Sequence, residues 1–192
     1  MIDYTRRKLR KIIYLIPKNK DIKIIEIGCG TGEITSYLTR KGYSILGIDI
    51  DKERIIQAKN NDPRSTFETK DVFKIDFSKY DLIIAWGLFE YILNLKSLLK
   101  KLEREMKPNT AIIFSVPNVC SLSKRLRCLF GKNPNREKKP SFCFTFEDVR
   151  QLIKPLKFKN KKIHSLNIDC MKNFCYPISR NMSGDIIVRM IK

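Results

Sequence analysis

The chain has 192 residues, 43% of them apolar, which suits one domain able to bury roughly 70% of its unfolded surface. It has no run of eighteen apolar residues, so no transmembrane helix is predicted, and the charged stretch 1–11 lacks the apolar segment of a secretory leader. The formal charge of +19 is uneven: residues 1–20 carry seven Lys/Arg against one acid, residues 21–116 fifteen against fourteen, and residues 117–162 thirteen against three.

A basic helix is predicted at 4–16, then a strand at 22–27 that runs into Gly28-Cys29-Gly30-Thr31-Gly32. Glycines there let the backbone turn sharply and approach a ligand closely, and the helix predicted at 33–41 offers free N–H groups behind them. The last gap is one residue shorter than in the dinucleotide fingerprint. Glu26, two residues before the first glycine, would repel a pyrophosphate and suits a cationic ligand. Together these features favour S-adenosylmethionine (SAM) over NAD. A second strand, 44–49, ends in Asp49, placed to accept hydrogen bonds from ribose hydroxyls. After a helix at 52–60 and a third strand at 65–69 comes Asp71, placed to receive an adenine amino group. Strands at 81–86 and 110–116, a helix at 93–105 and an irregular stretch at 70–80 complete the central pattern. Continuous apolar runs such as Leu82-Ile83-Ile84-Ala85-Trp86 suit a parallel sheet covered on both faces. Thr145 and Asp148 mark a capped helix start that ends before Pro155, and strands at 160–168 and 184–191 finish the chain.

With these motifs in place, the sequence resembles the class I SAM-dependent methyltransferases. Glu26–Gly32 is similar to that family's first motif, Gly47-Ile48-Asp49-Ile50-Asp51 to the second, Lys70-Asp71-Val72-Phe73 to the third, and residues 80–92 to the fourth. The resemblance is clear over residues 21–117 and weaker to about 155. It implies an α/β fold: a Rossmann-like, doubly wound, seven-stranded sheet, mostly parallel with a C-terminal antiparallel hairpin, in one domain spanning 1–192. It also implies SAM bound by Glu26, Gly28, Cys29, Gly30, Gly32, Asp49, Ile50, Asp71, Val72 and Trp86. Trp86 either walls the methionine end of SAM or fills the core. Many small-molecule relatives have Glu-His where this chain has Glu90-Tyr91, which leaves Tyr91 as a candidate for orienting the acceptor. His164, the only histidine, is a weaker catalytic candidate whose ordinary reading is a surface strand residue; Tyr14 and Asn118 are further candidates for the pocket rim. The absence of Asn-Pro-Pro-Tyr after strand four speaks against a base amino group as acceptor.

In related enzymes the pieces matching 1–20 and 117–145 form a substrate cap, and their basic excess here is expected to face an anionic partner. Leu122, Leu126 and Leu129 recur at helical spacing beside Lys124, Arg125 and Arg127. This is either a lid with its leucines on the core or a basic amphipathic helix for a membrane surface or acyl chain. The run 132–139 reads as an exposed basic loop, and Phe142, Phe144 and Phe146 line the pocket or fill the core. Six cysteines without CxxC spacing, among them Cys170 and Cys175, fit a reducing, cytoplasmic setting and indicate neither a zinc site nor a redox pair. The expectation is methyl transfer to a small or lipid-like, anionic acceptor, with no bound metal. An RNA methyltransferase is one alternative, and a non-catalytic SAM- or partner-binding protein the other. The substrate, the accepting atom and the oligomeric state are not legible.

Overall fold

A computed structural model describes residues 2–131, 142–166 and 184–192. Its elements are α1 (Ile2–Leu15), β1 (Lys23–Ile27), α2 (Glu33–Arg40), β2 (Ser44–Asp49), α3 (Lys52–Asn61), β3 (Thr66–Thr69), β4 (Leu82–Trp86), α4 (Leu95–Glu105), β5 (Ala111–Pro117), α5 (Leu122–Leu129), α6 (Phe146–Ile153), β6 (Lys159–Ser165) and β7 (Asp185–Ile191). The seven strands form one sheet in the order β3-β2-β1-β4-β5-β7-β6. The first five are parallel, and β7 is antiparallel to both β5 and β6. This is the expected doubly wound architecture. The irregular stretch 70–80 contains two 3-10 turns, Val72–Lys74 and Phe77–Lys79, capped by the side chains of Asp71 and Asp76.

Both sheet faces are covered, which is why β4 is apolar throughout and β5 is apolar but for Ser115, rather than alternating. One face packs Ile25, Ile83, Ile112 and Phe114 against Leu98, Leu99 and Leu102 of α4 and Val149 and Ile153 of α6. The other packs Ile24, Ile84, Ile113 and Ile187 against Ile12 and Leu15 of α1 and Ile34 and Leu38 of α2. Phe114 is fully buried, so truncating it to Ala would cost about 3–5 kcal/mol. Its ring lies 4.7 Å from that of Phe89, which fixes the 3-10 turn Phe89–Tyr91 directly beyond β4. The Thr145 capping box is present, with Asp148 Oδ2 accepting from the Thr145 backbone N at 2.8 Å.

The carboxyl ends of β1 to β5 share one edge of the sheet. Because β7 runs backwards, its first residue reaches that edge too, and Asp185 pairs with Pro117 at the exit of β5. Just past β5, the Asn118 backbone N donates to the carbonyl of Gly184, just before β7, at 3.0 Å.

The lid reading of α5 needs correction. Leu126 and Leu129 are 44% and 80% exposed, and Phe130 is 76% exposed, so these side chains are not packed on the core. Four residues separate this two-turn helix from the end of β5 at the carboxyl edge. Phe144 and Phe146 do fill the core, while Phe142 stays partly exposed. The basic run 132–139, Cys170 and Cys175 lie outside the described residues.

Candidate active site at the carboxyl edge of the sheet

Strand order reverses between β1 and β4, where one half of the sheet winds away from the other. In such sheets ligands bind in the crevice outside the carboxyl ends at this point. The glycine loop lies there. Its Gly28 and Cys29 backbone N–H groups donate to the Ile48 carbonyl at 2.8 and 2.9 Å, which ties the loop to β2. Gly28, Gly30 and Gly32 all have positive φ, a region L side chains avoid. At Gly32 a Cβ would also lie 2.5 Å from Phe67 Cζ, so this glycine lets α2 sit down on β3 and α3. At Gly30 a Cβ would meet only Arg54 Nη1 at 3.9 Å. That glycine faces open space, as a backbone cradle for a ligand requires.

The cleft above the loop has a volume of about 580 Å³, within the ordinary range for small-molecule sites. Gly28, Gly30, Arg54, Trp86, Gly87 and, from α1, Lys8 are among its walls. Lys8 is paired with Glu33 at the start of α2, which ties the basic N-terminal helix to the loop.

The three acids occupy different depths. Asp49 is nearest the loop: its Oδ2 accepts from the Gly30 backbone N at 2.8 Å and its Oδ1 from the Asp51 backbone N at 3.0 Å. Each oxygen retains a lone pair for a further donor. Glu26 is 2% exposed and stands behind the loop, its Oε2 accepting from the Thr35 backbone N at 2.9 Å and from Thr35 Oγ1 at 2.5 Å. Burial pushes Glu26 up to about 7, against the pull of the Thr35 hydrogen bonds and the Lys8 charge. It therefore locks α2 to β1 and meets the helix directly. Asp71 accepts from the Phe73 backbone N at 2.9 Å and borders an adjoining hollow of about 410 Å³ with Lys70, Lys74 and Tyr80. Ile50 is 74% exposed beside β2, and Val72 packs partly on the core. Cys29 is buried, and burial pushes its thiol up, so it fills space rather than reacting.

A second group of side chains meets at the end of β4, and two of them, Tyr4 and Asp185, escaped the sequence reading. Trp86 is 9% exposed, belongs to the core against α1 and also lines the cleft. Its Nε1 is buried close enough to the Tyr4 hydroxyl to pull that phenol down, but makes no hydrogen bond of ordinary geometry. Glu90 is 5% exposed; its Oε1 lies 3.6 Å from where a Gly87 Cβ would stand, and its Oε2 is buried without a partner. Burial, with a smaller contribution from Asp185, pushes Glu90 up to about 7, and its own backbone N–H and then Lys124 oppose this. Asp185 is raised by burial, and the Tyr4 hydrogen bond, Lys124 and Lys8 hold it down. The Tyr4 hydroxyl donates to Asp185 Oδ2 at 2.5 Å, and burial and that carboxylate push the phenol up. Thus α1, β4, α5 and β7 each send a polar side chain to one corner. The only local signal was Glu90 inside an otherwise apolar stretch.

Of the two catalytic candidates, Tyr91 is 42% exposed beside Glu90, its phenol raised by burial first and by Glu90 second. Arg54, a wall of the cleft, opposes that shift. His164 lies on β6, two strands from β5, half-buried and paired with Ile187. Tyr14 is 76% exposed on α1, while Asn118 is fully buried, its Oδ1 accepting from the Cys120 backbone N at 3.0 Å. Among the described residues, no three His, Cys, Asp or Glu side chains group to hold a metal ion. No helix among them is long and apolar enough to cross a membrane.

Comparison with known proteins agrees with this geometry. A family model described as a methyltransferase domain matches residues 1–160. The chain is 29% identical over 168 residues to a malonyl-[acyl-carrier protein] O-methyltransferase of Priestia megaterium, covering 78% of this chain and 61% of that protein. It is 28% identical over 120 residues to a ubiquinone biosynthesis O-methyltransferase of Rickettsia typhi, covering 56% of this chain and 49% of that protein. The chain thus spans about half to three-fifths of the length of these relatives. Among solved structures, a SAM-dependent methyltransferase from Archaeoglobus fulgidus superposes with a TM-score of 0.72 at 18% identity, covering 99% of this chain and 94% of that one. With the glycine loop, the acids and the strand order on the same edge, the chain belongs to the class I SAM-dependent methyltransferases.

Proposed function

We propose that this protein transfers a methyl group from SAM to an oxygen of a small or lipid-like acceptor that carries an anionic group. The residues present fit SAM. Gly30 leaves open space where a side chain would block a ligand, and Asp49 has acceptor capacity for ribose hydroxyls next to it. Gly28, Cys29, Gly32, Ile50, Trp86 and, from the adjoining hollow, Asp71 and Val72 would complete the holding set, with Glu26 bracing the loop from behind. Bound there, SAM supplies an already activated methyl group. What remains for the protein is to hold the acceptor in line and shed water.

The observation that carries the acceptor class is the convergence of the two basic segments on one corner. Lys8 of α1 walls the cleft, and Lys124 of α5 acts electrostatically on both Glu90 and Asp185. An anionic group would find these cations at the mouth. Exposed Leu126, Leu129 and Phe130 beside Arg125 suit an apolar tail. The two relatives named above are O-methyltransferases, which supports oxygen as the accepting atom.

The test is methyl-labelled SAM with purified protein and separated lipid, polar-metabolite and RNA fractions. Label in ester or ether products of the first two fractions is expected. Label in RNA alone would overturn the reading, and tight SAM binding without transfer to any fraction would favour a non-catalytic binder.

A further inference from the structure

Two buried polar groups at the end of β4 lack partners, and they are of opposite kind. Glu90 Oε2 needs a donor, and Trp86 Nε1 needs an acceptor. Leaving either unmet in a folded protein costs free energy, so their persistence together beyond the end of β4 is informative. Trp86 and Gly87 line the cleft, and Glu90 Oε1 lies 3.6 Å from the position a Gly87 Cβ would take. A hydroxyl group satisfies both needs at once, because it donates through hydrogen and accepts through oxygen. A carboxylate acceptor would supply no donor for Glu90, and an ammonium would supply no lone pair for Trp86.

We propose that Glu90 is the catalytic base for a hydroxyl-bearing acceptor, with Trp86 Nε1 donating to the same oxygen and the Asp185–Tyr4 pair positioning Glu90 from behind. This rests on the methyl-transfer reading and narrows it from oxygen in general to a neutral hydroxyl. The acceptor O–H bond breaks and its proton goes to Glu90 Oε2. The electron pair left on oxygen forms the bond to the methyl group from SAM, while the sulfur–methyl electrons return to sulfur and leave a neutral thioether. Glu90 then loses the proton to water at the open mouth of the cleft.

The surroundings suit a base that works near neutrality. Burial disfavours the Glu90 carboxylate, Asp185 on β7 adds a like charge, and Lys124 on α5 partly offsets both. Tyr91, the next residue, and Tyr4 on α1 also face Glu90, both as neutral phenols. A base must be ionised to act, so transfer should rise with pH through the Glu90 midpoint.

The test has two arms on the full chain. In the first, carboxyl-labelled glutamate is followed by NMR against pH, with Glu90→Gln identifying the resonance. The expected midpoint is near 7, falling in Asp185→Asn, where a like charge is lost, and rising in Lys124→Gln. A midpoint in the ordinary glutamate range, or one that Asp185→Asn leaves in place, overturns the proposal. In the second, labelled SAM is offered with 3,4-dihydroxybenzoate, a long-chain alcohol and a long-chain fatty acid, and S-adenosylhomocysteine affinity is measured in parallel. Glu90→Gln should lower transfer to the hydroxyl probes by about 100-fold or more while that affinity stays within about twofold. Asp185→Asn should shift the alkaline-rising limb downward in pH, which a merely structural residue would not do. Equal transfer by Glu90→Gln, loss of affinity in that variant, or wild-type transfer to the fatty acid alone overturns the hydroxyl base. The first and the last of these leave methyl transfer to oxygen standing. Wild-type protein that binds S-adenosylhomocysteine but labels none of the probes overturns the hydroxyl reading, and wild-type protein that does not bind it overturns the function proposed above.

Discussion

The loop corner, at the ends of β1 and β2, and the strand-four corner, at the ends of β4 and β7, lie on the same edge of one sheet but hold their carboxylates differently. At the loop corner Asp49 accepts from two backbone N–H groups and Glu26 from Thr35, with every partner inside a stretch of 26 residues. At the strand-four corner Glu90 keeps an unpartnered oxygen, and its neighbours come from the two ends and the middle of the chain. The first corner is finished by its own backbone, as a site built to hold a common ligand can be. The second is left incomplete in a way that a particular acceptor would complete. One part of the edge is thus organised for binding and the other for discrimination.

The largest effect should come from breaking the backbone of the loop corner. Gly32→Ala places an L side chain at φ 83° and a methyl 2.5 Å from Phe67 Cζ, so unfolding free energy should drop by about 4 kcal/mol in a urea titration. Gly30→Ala meets open space and should lose only about 1 kcal/mol, from backbone strain alone. Equal losses in the two variants would mean that the loop is not packed as described.

Asp49→Ala comes next. Removing its charged acceptor should weaken S-adenosylhomocysteine binding by about 3 kcal/mol in calorimetry. Unchanged affinity would detach Asp49 from the ligand and leave it a loop brace only.

Glu26→Gln tests the finished corner by pH. Glu26 in the folded protein is raised from 4.5 to about 7, so the native state holds its proton more tightly than the unfolded chain. Its contribution to stability is therefore full below pH 4.5 and is lost as pH rises to about 7. The fall should be of the order of 3 kcal/mol, read from denaturation midpoints at several pH values. Glutamine keeps an oxygen for Thr35 but cannot ionise, so the variant should show that much less slope. An equal slope in wild type and variant would assign the pH dependence to other groups.

The smallest effect concerns the exposed cation Arg125 on α5. Arg125→Gln should raise the KM for an anionic acceptor about twofold at low salt and not measurably at high salt, because exposed charges act only over a Debye length of about 8 Å at physiological ionic strength. A fall in S-adenosylhomocysteine affinity of the same size would tie α5 to the loop corner and erase the distinction.

This division also explains what the sequence disclosed. Strand positions, the glycine loop and Asp49 were legible because each depends on residues adjacent in sequence: a short apolar run, a turn demanding positive φ, an acid at a strand end. The capping box at Thr145 and Asp148 was legible for the same reason. Tyr4 and Asp185 were not, since nothing local distinguishes a tyrosine on a basic helix or an aspartate opening a strand; only the reversed direction of β7 brings them within a hydrogen bond of each other. Leu126 and Leu129 of α5 misled because helical spacing shows that a helix has an apolar side, not that anything covers it. Glu26 was found but its surroundings were not, since Thr35 approaches only once α2 has folded back over β1.

The hydrogen bond that joins Asn118 to Gly184 ties the exit of β5 to the entry of β7. Closing a loop between two such points costs free energy that grows only with the logarithm of its length, about 0.6 kcal/mol per doubling. Between them α6 fills one face of the core and β6 pairs with β7, so those two elements are fixed parts of the scaffold. The connections on either side of them can change length at little cost as long as the tie is kept. Lys124 and Asp185 arise close to the tie, so such changes re-equip the strand-four corner without touching the glycine loop. Diversification of what is methylated can then proceed in these connections, while the methyl source stays constant.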